Sequence, residues 1–256
     1  MKRILTFLLC IALAVSMLGL VSCSDEDAKT VEKLDGKTPE ELYEFSQQKL
    51  KEAKAYHVLS TQDIVISATV NGETESMTMK QTVESKINGD NSYVKTSNSE
   101  ESSASMEAWY VDGVVYTTVA GAKIKKEISK DKYMQQYMGT DPSESTLLDI
   151  PESWFKDIKF EKEENSWVIN FTVSGEKYTE AFGNIGLDSA SINGDVSYKI
   201  YFDKNGNIEK LAASFDMQVY GASAHCDSIS TITIGDVEVT APEDADSYVS
   251  MPSIFN

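Results

Sequence analysis

The chain has 256 residues, with 41 acidic against 23 basic side chains and a formal net charge of −18. Arg3 is its only arginine, so the body of the chain lacks the guanidinium forks that grip phosphates and guanine edges, which argues against nucleic-acid binding. The acidic balance also argues against a body lying flat on anionic lipid, and it suits the solubility of an exported domain.

The first segment runs Met1-Lys2-Arg3, then an apolar stretch from Ile4 to Val21, then Ser22-Cys23. A basic n-region, an apolar h-region and a small-residue cleavage site together make a secretory signal. Leu20-Val21-Ser22-Cys23 resembles the bacterial lipobox, which implies that Cys23 is acylated and becomes the first residue of the mature protein. The competing reading of Ile4–Val21 is a transmembrane helix. That stretch is at the short edge of what spans a bilayer, and Ser24-Asp25-Glu26-Asp27 follows it without a basic flank. The expectation is therefore a signal peptide over 1–22 and a lipidated Cys23 opening a flexible acidic tether over 23–37. The membrane is then a partner through the lipid, and the chain is extracytoplasmic on the outer face of a bacterial cell membrane. Two or more acyl chains anchor stably where one does not. With Cys10 in the signal and Cys23 acylated, Cys226 has no partner for an intramolecular disulfide, so the fold must rest on an ordinary core.

Thr38-Pro39-Glu40-Glu41 places a cap, a proline at the first helical position and a glutamate at the third. Leu42, Phe45, Leu50 and Ala53 carry that helix to about Ala55. Period two then takes over. Val58, Ile64, Ile66, Ala68 and Val70 alternate with polar neighbours up to Asn71-Gly72, a hairpin turn, and the return strand sets Met77, Met79, Val83 and Ile87 on one face. Asn88–Asn91 turns the chain into a strand at Tyr93–Ser97. Asp112-Gly113 joins Trp109-Tyr110-Val111 to Val114-Val115-Tyr116, pairing Val111 with Val114 and Trp109 with Tyr116. A strand follows at Lys123–Ile128, then helix over 130–138 and 142–153. Strands return at Phe155–Glu163 and Ser166–Ser174, and a helix is expected from Glu176 to about Leu187. Three long strands close the domain, with a turn at Asp203–Asn207 and an apolar phase slip between Ile229 and Ile232 that reads as a bulge. The sum is an α+β, mostly β domain over 38–245, followed by a tail over 246–256. The expectation is a curved antiparallel half-barrel of about eleven strands, with about three helices over the concave face.

That order of helix, strands, helix, strands, helix, strands resembles the lipoprotein-carrier superfamily of Lol-type carriers and actinobacterial lipid-carrier lipoproteins. The wording of the sequence is similar to an uncharacterised group of Gram-positive surface lipoproteins. The residues that carry the likeness are the lipobox, the Leu42–Ala55 helix running into Tyr56, the Trp109–Tyr116 hairpin and the ending Val239-Thr240-Ala241-Pro242-Glu243. The resemblance implies a half-barrel closed by helices over an apolar cavity, and a hydrophobic cargo.

Catalysis finds no constellation. Gly221-Ala222-Ser223-Ala224 lacks the closing glycine of a nucleophile elbow, and His57 and His225 are the only histidines. Adjacent on a strand, His225 and Cys226 point to opposite faces and cannot pair as base and nucleophile. Two histidines and one thiol without ligand spacing make no zinc site, so no metal or cofactor is expected. Asp203–Asn207 has its glycine in the wrong place for a calcium loop and reads as a hairpin. The site-like feature is the apolar stripe: Ile64, Ile66, Met77, Met79, Trp109, Tyr116, Trp167, Phe171, Phe215 and Met217 are the candidate cavity lining. The function expected is a non-enzymatic lipoprotein that binds lipid or another hydrophobic molecule. The alternative is an envelope or protein-interaction module whose barrel is filled by its own side chains.

Overall fold

The computed structural model describes residues 36–70, 73–98, 105–133, 150–163, 166–184, 190–219 and 221–251. The signal, Cys23 and nearly all of the tether lie outside the described residues, as do Asn71-Gly72, the 134–149 part of the expected helices and the end of the helix after Asn184. Helix α1 spans Pro39–Glu52, α2 Lys130–Tyr133 and α3 Gly175–Asn184. The strands are β1 (Ala55–Val70), β2 (Glu73–Asn88), β3 (Asn91–Asn98), β4 (Met106–Val111), β5 (Val114–Val119), β6 (Ala122–Glu127), β7 (Phe155–Glu163), β8 (Ser166–Ser174), β9 (Ala190–Phe202), β10 (Ile208–Val219), β11 (Ala222–Ile234) and β12 (Val249–Ser250). They form one open 12-stranded sheet in the order β12-β6-β5-β4-β3-β2-β1-β11-β10-β9-β8-β7. The expected class, mostly β with one open sheet and a few helices, is the one observed. The strand beyond the expected count is β12, which pairs parallel to β6 through Val249 and Ile124.

Local chemistry explains the element ends. The Glu41 backbone N–H donates to Thr38 Oγ1 at 3.2 Å, and the Thr38 N–H donates to Glu41 Oε2 at 2.7 Å, a reciprocal capping box that starts α1. Asp112 and Gly113 have φ of 51° and 82°, the left-handed pair that a two-residue hairpin needs between β4 and β5. Gly175 opens α3 where a Cβ would lie 2.3 Å from the Gly194 carbonyl oxygen and 2.6 Å from Ile192 Cγ2, so only glycine fits.

β11 corrects one expectation. It runs without a bulge: Ser230 meets Ser60, Thr231 reaches the Leu59 carbonyl and the Gly235 N–H reaches the Ala55 carbonyl, all in one register. Ile229 faces outward at 44 % exposure while Ala224, Cys226 and Ile232 face inward. The phase slip in the sequence is thus an apolar residue on the wet face, an ordinary occurrence.

The chain packs as two units. One comprises Met1–Lys49, Asp63–Thr78 and Thr146–Ile229, and the other Leu50–Gln62, Met79–Ser145 and Ser230–Asn256. In the first, α1 presents Leu42, Tyr43 and Ser46 inward. The Tyr43 ring meets Phe155 edge-on at 5.1 Å, and Phe155 stacks on Phe171 at 4.0 Å. α3 lays Tyr178 beside Tyr198, their hydroxyls 2.7 Å apart, with Trp154 edge-on to Tyr178. Burial raises both phenol pKa values, so the two hydroxyls stay neutral. In the second unit Tyr133 of α2 stacks on Tyr110 at 4.6 Å, over Val115 and Ile128.

Candidate functional site

In the first unit the inward face collects most of the apolar stripe. Trp167, Ile169, Phe171 and Val173 share one face of β8, and cross-strand pairing sets Trp167 beside Phe202 and Phe171 beside Tyr198 of β9. Tyr198 stands against Ala213, and Met217 against Ile192. Phe215 and Met217 follow Ala213 on the same face of β10. The His225–Asp216 contact fixes the β10–β11 register and places Cys226 opposite Phe215. The Ser223–Ser67 contact fixes that of β11 with β1, so Ile64 and Ile66 complete the row. Ile64, Ile66, Phe171, Phe215 and Met217 are buried. Trp167 is half-buried and stacks on Phe160 at 5.2 Å. Met77, nearer the hairpin end, is 40 % exposed.

The second unit separates the rest. Met79 is buried and shares the inward face with Gln81, which pairs with Asn98 across to β3. Following the ladder, that face continues through Val94 to Ala108 and from Ser92 to Tyr110 and Val115. Trp109 and Tyr116 pair as expected, but from the opposite face. There Trp109 lies 5.2 Å from the Tyr93 ring and edge-on to Tyr248 at 6.4 Å, and Tyr116 is edge-on to Tyr248 at 5.4 Å. Their inclusion in one lining with Met79 is therefore corrected. β4 and β5 carry large side chains on both faces, and alternation alone does not say which face is inward.

The outward aromatics border a shallow groove of about 400 Å³, walled by Trp109, Thr118, Pro242 and Tyr248. Of its charged groups, Lys123 binds Asp244, and Glu107 binds Lys95 of the neighbouring strand at 2.6 Å.

The polar groups inside the fold do structural work or stay inert. Burial pushes the Cys226 thiol up to about 12, leaving it protonated, and His225 faces outward. His225 Nδ1 lies 2.8 Å from Asp216 and its Nε2 3.3 Å from Asp227; these carboxylates raise its pKa. In the turn after β9, Asp203 Oδ1 accepts the backbone N–H groups of Asn205 at 2.7 Å and Asn207 at 2.8 Å, and Oδ2 accepts the Asn207 amide at 2.8 Å. Its oxygens hold the turn. Among the described residues, no group of three or more His, Cys, Asp or Glu side chains is placed to hold a metal ion.

Two inward residues escaped the sequence reading. Gln62 of β1 and Gln81 of β2 are 5 % and 8 % exposed, and neither Oε1 has a hydrogen-bond partner. The available signal was their phase: both occupy inward positions of strands whose neighbours on that face include Ile64 and Met79.

No family model and no curated protein matches the sequence. Similar solved structures include LprF of Mycobacterium bovis, at 10 % identity over 78 % of this chain and 95 % of that one with a TM-score of 0.42. The lipoprotein LppX of Mycobacterium tuberculosis is also 10 % identical, over 78 % of this chain and 96 % of that one, with a TM-score of 0.39. A LolA-superfamily protein of Nitrosomonas europaea is 11 % identical over 75 % of this chain and 94 % of that one, with a TM-score of 0.26.

Proposed function

We propose that this chain is an extracytoplasmic lipoprotein, anchored by acyl chains on Cys23, that binds a lipid or another hydrophobic molecule without transforming it. One observation carries the reading: Ile64, Ile66, Phe171, Phe215 and Met217 share one sheet face with the partly exposed Met77. An apolar wall with a flexible thioether at its exposed end suits adaptable recognition of hydrocarbon. The Leu20–Cys23 motif supports the anchor. Native mass spectrometry of the full-length protein, purified from its source envelope, tests the binding. A reproducible lipid adduct is expected, and a clean unliganded mass overturns it. For the anchor, Cys23→Ala is expected to abolish fatty-acid labelling.

The second reading is a module whose interior is filled by its own side chains. The near-complete burial of Ile64 and Met217, at 0 % and 1 % exposure, favours it. The same mass spectrum separates the two.

A further inference from the structure

The outward face of the second unit carries two parallel rows of side chains. Cross-strand pairing aligns Tyr93, Trp109 and Tyr116 across β3, β4 and β5. It also aligns Lys95, Glu107, Thr118 and Lys123 across β3 to β6. Along each strand the rows are two residues apart, so they share one face at a spacing of about 7 Å. One row is aromatic and the other polar. Residues 240–244 with Tyr248 complete the wall of the groove of about 400 Å³, and every residue that lines it belongs to the second unit. Half-buried Trp109 meets the groove from the aromatic row, and Glu107, Thr118 and Lys123 meet it from the polar row.

The charges narrow the occupant. Lys123 is bound to Asp244 and lies 5.7 Å from the centre of the Tyr248 ring, so a resident ammonium already takes the aromatic cation site. An anion would meet Glu107, Asp244 and the exposed Glu243. A hydrocarbon chain would strip water from these ions without replacing it. A carboxylate accepts several hydrogen bonds and an ammonium donates three, so the ion pairs keep capacity for a ligand that both donates and accepts. A neutral ring with hydroxyls on its edge and C–H groups on its face meets both rows at once.

We propose that this groove binds a neutral saccharide, packed against Trp109 with its hydroxyls toward Glu107, Lys123 and Asp244. The volume is within the range of small-molecule sites, and the open side lets a longer glycan run on into water. The proposal does not rest on the hydrophobic-ligand reading, whose apolar wall belongs to the first unit, so failure of either leaves the other standing.

The test titrates the full-length protein, in a detergent without a sugar head group, with cellotetraose and chitotetraose as neutral probes. The β-1,4-linked glucuronate tetramer serves as the charged counterpart and decaproline as the ligand of an aromatic peptide groove. A neutral probe is expected to bind by calorimetry and to shift the Trp109 indole N–H resonance. The glucuronate tetramer is expected to bind at least about fivefold more weakly than the better neutral probe. Asp244→Asn, on the exposed rim, is expected to weaken that probe by about three- to tenfold, and Trp109→Leu is expected to abolish its binding. If Trp109→Leu does not fold, the indole shift and Asp244→Asn decide. No binding of either neutral probe up to about 10 mM overturns the proposal. So does binding that leaves the Trp109 indole unmoved, or equal binding of the charged tetramer. Tighter binding of decaproline than of the sugars overturns it in favour of a peptide groove.

Discussion

The Ser46 hydroxyl lies 2.5 Å from the carbonyl oxygen of Gly206, which ties the middle of α1 to the turn between β9 and β10. Its proton also faces the Leu42 carbonyl at 2.8 Å. Ser46 is buried, so Ser46→Ala strips a donor from a carbonyl that water does not readily reach. A loss of about 1–3 kcal/mol is expected in urea unfolding. Gly206→Ala is expected to cost at least as much: φ is +75° there, and a Cβ would press on Phe45 and Leu42 at 3.2–3.3 Å.

The same turn has an acid limit. Burial alone would raise the Asp203 pKa, but hydrogen bonds from Asn207 and Asn205 outweigh it and hold the carboxyl below its ordinary value of 3.8. A depressed carboxylate contributes stability that is fully present above its unfolded pKa and is lost as pH falls through the folded one. Asp203→Asn is therefore expected to lower the urea midpoint at pH 7, and the gap to the parent is expected to close as the pH falls below 3.8 and through the lowered folded pKa. A gap independent of pH would count against the charge-assisted bonds.

His225 behaves in the opposite sense. Its raised pKa places its contribution below the ordinary value of 6.5, and that contribution fades as pH rises through the folded pKa. The ring is exposed, so the worth of the Asp216 and Asp227 contacts is at most about 1 kcal/mol. The sharper readout is the imidazole titration by NMR. The midpoint is expected above 6.5 in the parent and lower in Asp216→Asn.

Cys226, buried and held protonated, is expected to resist iodoacetamide at pH 8 in the folded protein and to react fully in urea. Intact-mass analysis before and after denaturation reads this directly. Rapid alkylation of the native protein would show that β11 opens often.

Tyr248 seals the outward face of the second unit. It is 4 % exposed, edge-on to Trp109 and Tyr116, and its hydroxyl lies 2.8 Å from Thr118 Oγ1. Tyr248→Ala is expected to cost about 3–5 kcal/mol, in the range of large aromatic truncations, and to red-shift Trp109 emission. Tyr248→Phe keeps the ring contacts and is expected to lose only about 1 kcal/mol.

The strands were legible because their alternation and turn residues agree. Asp112-Gly113 and Thr38–Glu41 each specify a local geometry that needs nothing from elsewhere in the chain. Face assignment was less legible. Trp109 and Tyr116 are as apolar as Tyr110 and Val115 behind them, so the local pattern fits either orientation, and only the distant Tyr248 decides it. β12 was invisible for a related reason: two residues carry no periodicity, and Val249 earns its place by pairing with Ile124. Gln62 and Gln81 were passed over as polar neighbours in half-wet strands, since their burial depends on strands far apart in sequence.

The reciprocal bonds between Thr38 and Glu41 also decide where mechanical load enters the molecule. Tension applied at Thr38 meets the first turn of α1. Ser46 and Lys49 clamp the body of that helix to the Gly206 turn, the lysine 2.6 Å from the Asn205 carbonyl. Tension applied to α1 is thereby handed to the loop of one long hairpin, and the inward apolar rows of the sheet are not its first point of strain.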